Sequence, residues 1–333
     1  MRYLRLFTNA VTGGVLGTLY LLVIVLLLNP QVPLVSMTAV RWFGALLSFY
    51  GLHIGVALFV LLIVRDLLAG RPLQPGWLSV RLLAWLGAAL AATAAVITWA
   101  NLQGFRAVLG EEAARTLQSA AVAGTICAVV LVGVAVFRYS FGRRGSTPAG
   151  VVMTVTLVAS VVVPLWVRGP GHLPVPAVPR SAGPVPGAVT PPLTATAPRI
   201  RLVAMDGASL SLIRERVAAG RLPNLGRVLD RGAVIPLATL KPTQAEPVWT
   251  AAATGKYPAQ TGVRSNAAFR VGPPGTDDVD LLPDYCFAYA LVYQQYVAAE
   301  RRTRDDVRAR PFWDILARYG LGTGVVRWPL TFP

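Results

Sequence analysis

The sequence predicts a multi-span α-helical membrane domain followed by an α/β domain. Three observations carry this reading: five charge-free apolar runs in the first half, a proline-rich stretch after the last of them, and alternating strand and helix signals from Arg199 onward. The mean hydropathy of +0.56, with 54% hydrophobic and 14% charged residues, is too apolar for an ordinary soluble chain of 333 residues. The excess lies in the first half.

The five runs lie near Val11–Leu28, Trp42–Val64, Leu82–Ala100, Thr116–Phe137 and Gly150–Val167, and none contains Asp, Glu, Lys or Arg. Crossing a hydrocarbon core of ~30 Å takes about 20 helical residues, so each run is long enough. The first has a basic start at Arg2 and Arg5 but no clear small-x-small cleavage site, and it reads as an uncleaved anchor rather than a signal peptide. Arginine placement predicts topology. With the N-terminus cytoplasmic, Arg2, Arg5, Arg65, Arg71, Arg81, Arg138, Arg143 and Arg144 fall inside, against Arg41, Arg106 and Arg115 outside. Five spans then place everything after Val167 outside a bacterial-type plasma membrane. His53 falls within a span and reads as a neutral side chain packed against a neighbouring helix; transport by the spans themselves has little support.

Residues 1–167 are therefore read as the membrane domain, 168–198 as a Pro-rich linker and 199–333 as the extracytoplasmic α/β domain. The linker's Pro, Gly, Ala and Val composition favours an extended, semi-rigid tether that holds the outer domain off the bilayer. The formal charge of +16 divides into +10 for residues 1–198 (13 basic, 3 acidic) and +6 for residues 199–333 (18 basic, 12 acidic). Much of the first is topological arginine. The second suits anionic lipid headgroups or phosphorylated substrates, and no motif supports nucleic-acid binding. Cys127 and Cys286 make no disulfide framework and no zinc spacing.

In the outer domain, strands are predicted at Ile200–Met205, Val234–Leu240 and Gly324–Trp328. Helices are predicted at Ser209–Ala219, Pro223–Asp230, Val248–Ala253 with Pro247 as first residue, Phe287–Arg302 and Phe312–Tyr319. Such alternation argues for a sheet with helices on both faces. Asp206 emerges from the first strand, where a carboxylate is placed to reach a site and hold a divalent metal. The Pro- and Thr-rich loop entering the helix at Pro247 presents backbone N–H groups to an oxyanion, and a hydroxyl there is positioned for attack on phosphorus. Asp277, Asp278, Asp280 and Asp284 lack the calcium-loop register and read as an exposed acidic loop. Arg301, Arg302, Arg304, Arg308 and Arg310 read as a solvated face, with phosphate contact as the functional alternative.

Four segments together resemble the N-terminal part of the alkaline phosphatase superfamily, in its type I phosphodiesterase and nucleotide pyrophosphatase branch. They are LVAMDG, AAGRLPNLGRVLDRGA, PTQAEPVWTAAATGKYPAQTGV and RPFWDILARYGLGTGVVRWP. The resemblance implies an alkaline-phosphatase-like fold, present only in its first portion, and a divalent metal, zinc by family inference, with Asp206 as ligand. It places the nucleophile two residues before the helix-entry proline, at Ala245, which has no nucleophilic atom; Thr243 is the substitute hydroxyl and Glu246 is adjacent. Thr261 stands where the family carries a His, and the only histidines, His53 and His172, are not placed to join Asp206.

The expectation is a membrane-anchored, outward-facing phosphoesterase-like protein, a fragment without activity as it stands, with membrane lipids and a phosphate ester as its partners. The alternatives are a degenerate scaffold or interaction module, and a relative of lipid headgroup phosphotransferases, which share the arrangement of five spans before an outer domain.

Overall fold

The computed structural model of the chain describes residues 1–68, 77–137, 147–171, 200–273, 278–283 and 287–331. The predicted linker falls almost wholly outside them.

The first half folds as α1 (Arg2–Leu28), α2 (Met37–Leu46), a π-helical turn (Leu47–Gly51), α3 (Leu52–Leu68), α4 (Val80–Leu109), α5 (Glu111–Ala135) and α6 (Thr147–Arg168). Five helical stretches among the described residues are long and apolar enough to cross a membrane, with α2, the π-turn and α3 forming one of them. The helices run past the predicted limits because the charged residues flanking each run, such as Arg2 and Arg106, remain helical.

Helix α1 is the hub of the bundle, touching α2, α3, α4 and α6. Its crossing with the π-turn depends on small residues. A Cβ on Gly14 would lie 2.4 Å from the Gly51 carbonyl oxygen, and one on Gly51 would lie 2.6 Å from Thr18 Oγ1. Such close backbone approach is the usual basis of helix packing where lipid removes the hydrophobic drive. The outward faces are apolar along their length, with Val56, Val60, Leu61, Val96, Ile126, Val129, Val155 and Val158 all exposed. His53 is also on an exposed face, its Nδ1 2.6 Å from the Phe49 carbonyl oxygen. The expected packing of His53 against a neighbouring helix is therefore replaced by a local bond to its own helical turn.

The second half contains α7 (Leu210–Ala218), α8 (Pro223–Arg231), α9 (Ala245–Thr254), α10 (Pro258–Thr261), β1 (Ala267–Arg270), α11 (Phe287–Tyr293), β2 (Ala298–Arg301) and α12 (Phe312–Arg318). Its strands form a two-stranded antiparallel sheet, Ala267 opposite Arg301 and Arg270 opposite Ala298.

The larger α/β sheet predicted from the sequence does not form among the described residues. Residues 200–205, 234–240 and 324–328 make no strand, and in each an apolar side chain stays in solvent, with Ile200 91%, Leu237 89% and Val326 86% exposed. A buried parallel strand requires paired neighbours and a covering layer on both faces; these segments have the composition without the cover. The helix predicted over Phe287–Arg302 ends at Tyr293, and after a turn with Gln295 at φ 62° the chain enters β2. Pairing with β1 overrides local helical preference there.

One end of the bundle and the segment from Pro258 to Arg310 pack together directly. Phe269, Val279, Leu282, Leu291 and Val297 share one core with Val25, Leu26, Val32, Trp42 and Leu46. Leu281 joins a second core with Leu27, Leu28, Phe105, Val108 and Leu117. Each such side chain contributes about 1.5–3 kcal/mol on burial, so the contact is strong enough to fix the two parts together. The segment thus rests on the helix ends, where the sequence predicted a domain spaced away from them.

Candidate functional site

The predicted phosphate loop is built where α9 begins. Gln244 caps the helix in extended conformation, and Gly255, at φ 65°, ends it in the left-handed region that favours glycine. The start is braced reciprocally by Asn266, whose backbone N–H donates to Gln244 Oε1 (2.9 Å) and whose Oδ1 accepts from the Glu246 N–H (3.3 Å). The helix begins at Ala245, so buried Pro247 is its third residue and not its first as expected. Proline is tolerated there because N–H groups in the first turn have no intrahelical partner.

Ala245, where the resemblance puts the nucleophile, is therefore the first helical residue and offers only a methyl group. Thr243 is exposed on the preceding loop, and its Oγ1 donates to the Leu240 carbonyl oxygen at 3.2 Å. Asp206 lies in an exposed turn with Gly207 at φ 67°. Among the described residues no group of three or more His, Cys, Asp or Glu side chains is arranged to hold a metal ion. One carboxylate on an exposed turn does not make the closed N, O or S donor set that a zinc-type centre requires, so the residues present do not fit the implied metal.

A bonded polar cluster lies elsewhere, at the junction with the bundle. Asn29, fully buried at the end of α1, accepts through Oδ1 from the backbone N–H groups of Asp280 (3.0 Å) and Leu281 (2.9 Å). Its Nδ2 donates to the carbonyl oxygens of Val25 (2.8 Å) and Leu281 (2.7 Å). From the α6 end, buried Arg168 donates to the carbonyl oxygens of Asn29 (2.8 Å) and Val32. Asp280 then receives Arg302 at 2.6 Å, with Arg264 at 3.8 Å, while Arg270 pairs with Asp278 at 2.9 Å and with Glu300. Burial holds the Arg264 guanidinium below its ordinary value, with Asp280 opposing that shift and Arg308 and Arg302 reinforcing it. The hydrogen bond with Asp278 raises Arg270.

Two expectations are corrected by this network. Asp278 and Asp280 belong to a bonded junction and not to an exposed acidic loop, and the Arg302 side chain is 6% exposed and paired instead of solvated. Asp277 and Asp284 lie outside the described residues. Asn29-Pro30 gave only a helix-end signal in the sequence; nothing local in it points 251 residues ahead to Asp280.

A cleft of about 790 Å³ is lined by the C-terminal half of α9, the segment from Arg304 to Pro311, α12 and residues 323–331. Asp206, Thr243 and Ala245 do not line it.

With this geometry in place, comparison with known proteins finds one family model over the C-terminal part. Residues 202–333 match the family model described as type I phosphodiesterase / nucleotide pyrophosphatase. The chain thus joins a phosphodiesterase/pyrophosphatase family region to helices long and apolar enough to span a membrane. No curated protein and no solved structure matches it significantly.

Proposed function

We propose that the chain is a membrane-anchored, phosphoesterase-like protein whose region from Leu202 onward faces outward from a bacterial-type plasma membrane. The observation that carries the reading is the family match over residues 202–333, which covers the Asp206 turn and the loop that starts α9 at Ala245. The arginine distribution in the sequence supports the orientation. Its partners are membrane lipids and a phosphate ester, and the family's chemistry is metal-dependent hydrolysis.

In this chain, however, the first-turn methyl of Ala245 and the lone Asp206 carboxylate leave no activated nucleophile and no metal cage among the described residues. The protein therefore does not turn over phosphate esters through these residues. A second reading, a non-catalytic interaction module, is favoured by the same two positions together with the apolar, exposed segments at residues 200–205 and 234–237.

The test is hydrolysis of 4-nitrophenyl phosphate and bis(4-nitrophenyl) phosphate by the full chain in lipid nanodiscs, with zinc or manganese added. The proposal expects no metal-dependent release from the wild type or from Thr243→Ala. Metal-dependent release that disappears in Thr243→Ala would overturn it and assign Thr243 as the nucleophile.

A further inference from the structure

The 790 Å³ cleft beside α12 carries four arginines, Arg304, Arg308, Arg310 and Arg318, against one acid, Asp314, a net charge of +3. Arg304 lies 3.9 Å from that acid. No described acid forms a salt bridge with Arg308, Arg310 or Arg318, all half-buried, although Arg270 and Arg302 in the same region pair closely with Asp278 and Asp280. A concave surface that gathers like charges without neutralising them is electrostatically unfavourable until an anion enters.

The walls define what kind of anion fits. Trp313 and Trp328 meet edge to face at 5.5 Å, and Trp328 is fixed by donating Nε1–H to the Trp249 carbonyl oxygen at 3.3 Å. The threonine hydroxyls of Thr250, Thr254 and Thr331 already donate to backbone carbonyls, so the guanidinium groups are the charged donors the cleft offers a ligand, with the Thr323 hydroxyl beside them. Guanidinium forks match the paired oxygens of a phosphate, and a cleft of this size suits a small organic phosphate.

The cleft is also close to the helix ends. Arg308 donates its backbone N–H to the Thr261 carbonyl oxygen at 2.8 Å, and a Cβ on Gly262 would lie 3.0 Å from its side chain. Helix α10, which holds Thr261, packs on α4, and a Cβ on Gly110 would lie 2.8 Å from Ala259 Cβ. Arg308 is thus one element, about 10 Å, from the end of the bundle.

We propose that this cleft is a second anion site that binds a phosphate-bearing group through Arg308, Arg310 and Arg318, apart from the loop at Thr243 to Pro247. The group is a soluble phosphate ester or the headgroup of an anionic membrane lipid. The site holds its ligand without metal, so it stands whether or not the α9 loop hydrolyses anything.

The test is calorimetric titration of the full chain, in phosphatidylcholine nanodiscs with EDTA present, using glycerol 1-phosphate and, separately, monomeric dihexanoylphosphatidylglycerol. Saturable binding of glycerol 1-phosphate with or without the lipid supports a solvent-open phosphate site, and binding of the lipid alone supports a headgroup site. Arg310→Ala/Arg318→Ala weakens either by about tenfold or more, since each charge-assisted pair is lost outright. Arg310→Lys/Arg318→Lys, which keeps charge and volume should the alanine pair fail to fold, weakens it to a lesser degree. Arg214→Ala/Arg216→Ala, on the exposed face of α7, leaves it unchanged. Absence of binding by both ligands, or equal weakening by the α7 pair, overturns the assignment.

Discussion

Asn29 concentrates the connection between the two halves of the chain in one amide. It saturates both backbone N–H groups at residues 280–281 and one carbonyl there, all in a place closed to water. Asn29→Ala leaves those groups unpaired, and each buried orphan costs about 1–3 kcal/mol. Amide hydrogen exchange at residues 279–282 is expected to rise sharply in that variant. Asn29→Asp keeps both acceptors but sets its second carboxylate oxygen against the Val25 and Leu281 carbonyl oxygens in a buried place, so exchange at residues 279–282 is expected to rise above wild type in it too. Residue-scale legibility was uneven for the same reason. Asp206, Thr243 and Ala245 stand out in the sequence because they sit in a turn or at a helix start, which local sequence signals; their roles there are the resemblance's. Asn29, Asp280 and Arg302 were not, since their partners come from distant parts of the chain.

At the scale of elements, the helices followed from composition and punctuation. Charge-free runs gave the long helices, Pro223 opened α8, and Gly255 closed α9. Strands were less legible, since a strand is defined by its partner: β1 was missed and three apolar segments remain unpaired. The crossing of α1 over the π-turn supplies a test of helix packing. Gly14→Leu drives a side chain into the Gly51 backbone, and overpacking of this kind costs about 1–3 kcal/mol. A lower melting temperature in detergent is expected, with Gly44→Leu as a control because no atom lies within 4 Å of a Cβ there. The aromatic brace makes a similar demand: Trp328→Ala removes contacts to Trp249, Phe312 and Trp313 and is expected to loosen α12, seen as faster proteolysis within residues 312–331.

For the whole molecule, the account rests on the region from Pro258 to Arg310 being seated on one end of the bundle through two shared cores and the Asn29 network. That seating sets the distance between the arginine cleft and the helix ends. It was invisible in the sequence because the proline-rich composition at residues 168–198 speaks of spacing, while the contact depends on side chains brought together from both halves.

The most direct test pairs Gly110→Cys at the α4–α5 turn with Ala259→Cys on α10, in a Cys127→Ser/Cys286→Ser background. The pair is treated with a short thiol cross-linker, and the chain is then cut at a protease site placed within residues 172–199. Seating predicts that the two halves remain covalently joined after cleavage, while the control pair Val96→Cys/Ala259→Cys, with Val96 on the exposed face of α4, separates. Separation of the Gly110→Cys/Ala259→Cys halves, to the same degree as the control, would contradict the docked arrangement.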